Sequence, residues 1–180
     1  MTILKKISWF TFFVFPLILC AQYTSNDLIN WETGRKLNWG NYNGNPDPAS
    51  DAAASTATYL GVEYSFSNNS FSYKITCSFS RNQSWGRFKT DYILAHEQGH
   101  FDITEIFARK LKKALSQYTF NRNTYRKDLD EIYQDITDEK INTQSQYDRE
   151  TDFSRNKEKQ AEWLKKIEKM LDELKKFAGY

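Results

Sequence analysis

The sequence predicts an α+β fold in which a small antiparallel β-sheet is followed by a helical bundle. Three observations carry this expectation. Two apolar and aromatic runs, residues 58–66 and 71–79, are joined by Ser67-Asn68-Asn69-Ser70, and the second alternates with period two, which reads as a β-hairpin. From about Lys89 onward the apolar spacing changes to the 3.6-residue period of helices. Clusters of turn formers separate the segments, without repeats or Gly/Ser linkers, so residues 22–180 are expected to form one domain.

At the N-terminus, Lys5 and Lys6 precede an uncharged apolar run over residues 7–21. It is too short to span a bilayer comfortably and has the shape of a secretory signal peptide. Cleavage after Ala21 makes residues 1–21 the signal, Gln22 the new N-terminus, and the periplasm or the medium the destination. A competing reading takes Leu17-Ile18-Leu19 as a lipobox and Cys20 as the lipid-anchored first residue of an envelope lipoprotein; the bulk of Leu19 argues against it. Losing Lys5 and Lys6 reduces the 25 Lys and Arg to the same 23 as Asp and Glu. The net charge of +2 therefore belongs to the signal, and no nucleic-acid partner is indicated. Cleavage after Ala21 leaves one cysteine, Cys77, and so no intramolecular disulfide.

Residues 28–39 hold short apolar stretches around Trp31 and Leu37-Asn38-Trp39, ended by the turn-rich residues 41–48. The small residues 52–57 suit a single helical turn, and residues 81–86 read as a polar connector carrying Trp85. A helix is expected from about Lys89 to Tyr118. On it Ile93, His96, Glu97, His100, Thr104, Phe107 and Leu111 share one stripe, with Gln98, Asp102, Arg109 and Lys113 opposite. A second helix follows Asn121, a break falls at residues 152–156, and a last amphipathic helix is marked by Trp163, Ile167, Met170, Leu171 and Leu174.

The only two histidines of the chain stand in His96-Glu97-Gln98-Gly99-His100. Four apart on a helix, they lie one turn above each other and can face one ion, while Glu97 projects about 100° round the axis, beside that ion. This H-E-x-x-H pattern reads as two zinc ligands, His96 and His100, and a general base, Glu97, of a zinc hydrolase. A buried structural pair of histidines has the same stripe. Zinc hydrolases usually take three protein ligands. With no third histidine the last should be a carboxylate, and the best pool is Tyr147-Asp148-Arg149-Glu150-Thr151, which a long polar helix could return to the first.

Here the chain resembles a family of secreted bacterial proteins of unknown function described as zinc-dependent proteases. The matching stretches are residues 37–44, 54–58 and 84–85, above all LAHEQGHFDITEIFARKL at 94–111, then YDRET at 147–151, Gln160 and Trp163. The resemblance implies a zincin-like fold, a Zn2+ cofactor and a peptide or protein substrate. It also leads one to expect a histidine about two residues after Thr151, where this chain has Phe153. The third ligand then falls to Asp148, which matches the family tract directly, or to Glu150, which reaches further. If neither serves, the chain binds metal weakly. Tyr147, or less well Arg109, is the candidate donor to the oxyanion. The resulting expectation is an exported zinc metallopeptidase. The rivals are a zinc enzyme acting on another amide of the envelope and a non-catalytic or weakly active zinc-site scaffold protein of the cell envelope.

Overall fold

The computed structural model describes residues 27–67 and 70–180; the expected signal peptide and Cys20 lie outside these residues. Strand β1 (Leu28–Asn30) is followed by a 3-10 turn at Trp39–Asn41, β2 (Ala54–Ser55), β3 (Thr58–Phe66), β4 (Phe71–Ser80) and β5 (Trp85–Gly86). Three helices complete the α+β fold: α1 (Asp91–Gln117), α2 (Tyr125–Thr151) and α3 (Lys157–Glu173).

β3 and β4 form the hairpin that the sequence predicts, with Thr58 opposite Phe79 and Phe66 opposite Phe71. β1 pairs antiparallel with the far edge of β4, giving the strand order β1-β4-β3. The alternation of β4 turns Ile75, Cys77 and Phe79 inward, where they are buried in one core with Phe101, Ile106, Phe107 and Leu111 of α1. Each such side chain contributes about 1.5–3 kcal/mol by leaving water.

α1 starts at Thr90, whose hydroxyl accepts from the Ile93 amide at 3.2 Å. Its 27 residues give a rod of about 40 Å that carries both sheet and helices. Of the predicted polar side of α1, Gln98, Asp102 and Arg109 are buried and only Lys113 is exposed, which differs from an ordinary amphipathic helix. The Trp31 indole donates to Asp102 at 2.8 Å, Gln98 donates to Asp102 and accepts from the Leu37 amide, and Arg109 pairs with Glu105 at 2.7 Å and donates to the Leu171 carbonyl. Long-range partners thus satisfy each polar group, so burying that side carries no large penalty.

Residues 52–57 also depart from expectation. Instead of a helical turn they run extended, and β2 pairs with β5 in a second, two-stranded sheet. The Ala57 amide donates to Ser84 Oγ at 2.9 Å, and the Arg87 guanidinium donates to the carbonyls of Asp47, Ser50 and Ala52. These bonds hold the segment straight. Among the described residues no helix is long and apolar enough to cross a membrane.

α1 and α2 meet closely at Gly99. A Cβ there would lie 2.6 Å from the Tyr147 hydroxyl and 2.9 Å from its Cζ. Gly99→Ala gains about 1 kcal/mol of helix propensity. It loses about 1–3 kcal/mol by overpacking against a fully buried ring, and the clash should win. The expected result is a thermal midpoint lowered by a few degrees; an unchanged or raised midpoint would show that Tyr147 can yield.

Candidate metal centre

His96 and His100 project from α1 towards the last turn of α2, which carries Asp148. Asp148 Oδ1 lies 2.9 Å from His100 Nε2 and 3.2 Å from His96 Nε2, and the two Nε2 atoms are 3.3 Å apart. Tetrahedral zinc, with bonds of about 2.0–2.2 Å, sets its ligand atoms about 3.4 Å from one another. The triangle is a face of such a tetrahedron drawn in by a few tenths of an ångström. Among the described residues, this is the group of three His, Cys, Asp or Glu side chains close enough to share an ion.

Each side chain of the triangle is held from behind. Tyr147 stacks on the His96 ring at 4.4 Å and donates to the His96 carbonyl at 3.2 Å, in the notch left by Gly99. His100 Nδ1 donates to Gln144 Oε1, and the Gln144 amide nitrogen in turn donates to the His100 carbonyl at 2.9 Å and to Thr104 Oγ1 at 3.2 Å. In the neutral ring the Gln144 bond keeps the proton on Nδ1 and leaves the lone pair that a metal needs on His100 Nε2. Asp148 is held by the end of α2. There the Phe153 amide donates to the Asp148 carbonyl at 2.8 Å and the Asp152 amide to that of Arg149 at 3.3 Å, a Schellman closure. Asp152, Phe153 and Ser154 all have positive φ, of 48°, 50° and 71°. Such strain, about 1–2 kcal/mol per residue, persists where the surroundings enforce it.

The electrostatics couple the three side chains to one another. Burial opposes a charge on His100, but the Asp148 carboxylate outweighs it, with help from Glu97 and Gln144, and raises its pKa to about 9. Burial likewise opposes a charge on Asp148, and its bonds to His100 and His96 overcome this, holding its carboxyl well below the usual range. Among the described residues, His96 Nδ1 and Glu97 Oε2, both buried at this site, have no hydrogen-bond partner. Glu97 is 4 % exposed yet lines the same cleft as the three ligand residues.

That cleft has a volume of about 630 Å³. One wall is the extended segment 52–58, the floor is α1, and the other wall is the α2 face that carries Gln144 and Asp148. Of the site residues expected from the sequence, His96, Glu97, His100 and Asp148 come together here. Glu150 does not: its carboxylate accepts from Gln146 and from the Trp163 indole, both at 2.7 Å, on another side of α2. Tyr147, expected from the sequence as the oxyanion donor, is fully buried beneath His96, donates to the His96 carbonyl and is not among the residues lining the cleft. Arg109 is likewise committed to Glu105 and Leu171. Phe153, where the resemblance leads one to expect histidine, stands half exposed on the cleft rim. Sequence reasoning missed Gln144, although it lies four residues before Asp148 on the same helical face.

Neither a curated protein nor a solved structure matches this chain. The bacterial family of unknown function DUF922 matches residues 32–155, a span holding the whole triangle, Glu97 and both walls of the cleft, and the chain belongs to that family.

Proposed function

We propose that this chain is an exported zinc-dependent metallopeptidase. One observation carries the reading: a ligand triangle of zinc dimensions opens on a cleft beside a buried carboxylate, Glu97, with an oxygen left unpartnered. His96, His100 and Asp148 would hold the zinc, which would supply an activated water and polarise a carbonyl. Glu97 would accept a proton and return it to the leaving amine; among the described residues its Oε2 has no hydrogen-bond partner and so is free for that role. Gln144 and Tyr147 hold the two imidazoles in place. The extended wall at 52–58 suits a peptide lying along it, since an extended chain presents its backbone to another. Export rests on Lys5, Lys6 and the apolar run that follows. Two histidines and one carboxylate also suit Fe(II) in oxygenases, but the carboxylate of Glu97 beside them favours hydrolysis.

Elemental analysis of the purified mature protein tests this. One zinc per chain is expected, lost in His96→Ala and in His100→Ala, together with peptide cleavage that a chelator stops and zinc restores. Full zinc content in either variant would refute the site. A zinc-loaded protein that cleaves no peptide leaves the scaffold reading in its place.

A further inference from the structure

The cleft extends beyond the ligand triangle, and its far part holds a cation with no counter-ion. Lys140, Gln144 and Asp148 are spaced four apart on α2, so they share one face of the helix. All three line the cleft. Gln144 and Asp148 serve His100, whereas the Lys140 ammonium makes no ion pair and no hydrogen bond among the described residues. It is half-buried, and although Asp47, Glu97 and Asp148 line the same cleft, none of them pairs with it; burial is what pushes its pKa below the ordinary lysine value. Four other helical lysines, Lys110, Lys127, Lys159 and Lys169, each have a glutamate partner. A half-buried ammonium facing a cleft without a partner is a costly arrangement unless a ligand supplies the anion.

We propose that Lys140 is a specificity-determining residue that binds a carboxylate of the peptide substrate. The proposal rests on the metallopeptidase reading and names the substrate class: peptides with an acidic side chain or a free C-terminus a fixed distance from the bond cut. Eight residues of helix separate Lys140 from Asp148 by about 12 Å along the axis. An extended peptide covers about 3.3 Å per residue, so the carboxylate lies two to four residues from the scissile bond. The neighbouring Ile141, 56 % exposed on the same rim, offers an apolar contact beside it.

Binding tests this without requiring turnover. The zinc-loaded mature chain is titrated with acetylated hexapeptides of Ala, Leu and Gln, followed by fluorescence anisotropy. One set carries a single Glu at each position and a C-terminal amide; a second has no Glu but a free C-terminal carboxylate; the reference has neither. Either one Glu peptide or the free-acid peptide should bind roughly tenfold more tightly than the reference, as a partly desolvated ion pair does. Which of them does so separates the side chain from the chain terminus as the source. Lys140→Met, of similar length, should abolish the preference, and Lys140→Glu should transfer it to Lys-bearing peptides. Equal binding of all peptides by the wild type, or a preference that survives in Lys140→Met, overturns the proposal. If the preference is present and no peptide is cleaved, the subsite stands and the peptidase reading falls.

Discussion

Asp148→Ala is expected to weaken zinc binding more than a hundredfold, while Glu150→Ala leaves it near the wild-type value. Both acids lie in one short tract of α2, but two residues turn a helix by about 200°. Asp148 faces the histidines at 2.9 and 3.2 Å, and Glu150 faces Gln146 and Trp163. Removing Asp148 leaves two imidazoles, too few to hold zinc against water. The pH dependence gives a second signature. The pKa of His100 is raised above its unfolded value, so its proton stabilises the metal-free fold fully below pH 6.5, and this is lost as the pH rises to about 9. Zinc must displace that proton, so affinity should climb about tenfold per pH unit until pH 9 is approached. In Asp148→Ala the partner that raises the His100 pKa is gone, and the slope should flatten. Chelator competition at several pH values reads both effects. Equal affinities for the two alanine variants, or a weaker Glu150→Ala, would sink the assignment of Asp148.

The hairpin was legible because Phe71, Tyr73, Ile75, Cys77 and Phe79 alternate, and α1 because its apolar stripe holds period 3.6 over seven turns. His96, Glu97 and His100 were legible for the same reason: their relation is local, fixed by helix geometry alone. What depends on distant partners was not legible. The burial of Asp102 is decided by Trp31, 71 residues away, and that of Arg109 by Leu171, 62 residues away. No period within α1 records either. The β2–β5 ribbon has two residues in each strand, too few for any alternation, and Ala57 is tied to Ser84 across 27 residues. Small residues that look helical in isolation are held extended by those bonds.

Which of Asp148 and Glu150 faces the histidines was closed to sequence reading because it depends on the rotation of α2 against α1. The notch at Gly99 sets that rotation, since only a residue without a Cβ lets the Tyr147 ring come so near. Once Tyr147 is seated under His96, its neighbour Asp148 meets the Nε2 atoms, and Glu150, three positions on from Tyr147, is carried round to the side facing Trp163 of α3. The glycine between the histidines is thus part of the same device as the ligands. Phe153 fits this account: the left-handed turn after α2 sets it on the rim of the cleft, and Asp148, one turn earlier, already completes the triangle.

Glu97→Gln should leave zinc content and thermal stability near wild type while lowering turnover of any cleaved peptide by about 10²- to 10⁴-fold, the range of general acid–base catalysis. The amide has the shape of the carboxylate, so the packing around a side chain only 4 % exposed is kept. Glu97 stands outside the ligand triangle, so the metal set is unchanged. What changes is the lone pair: Glu97 Oε2 has no partner among the described residues and can take a proton, whereas an amide cannot. The loss should fall on kcat, with KM little altered, because the proton moves only on the way to the transition state. Zinc content by elemental analysis and turnover of one peptide, measured on the same preparation, separate the outcomes. Unchanged turnover removes Glu97 from the role of base. Loss of zinc in this variant would make Glu97 a ligand instead, and the triangle would then have to open to admit a fourth protein group.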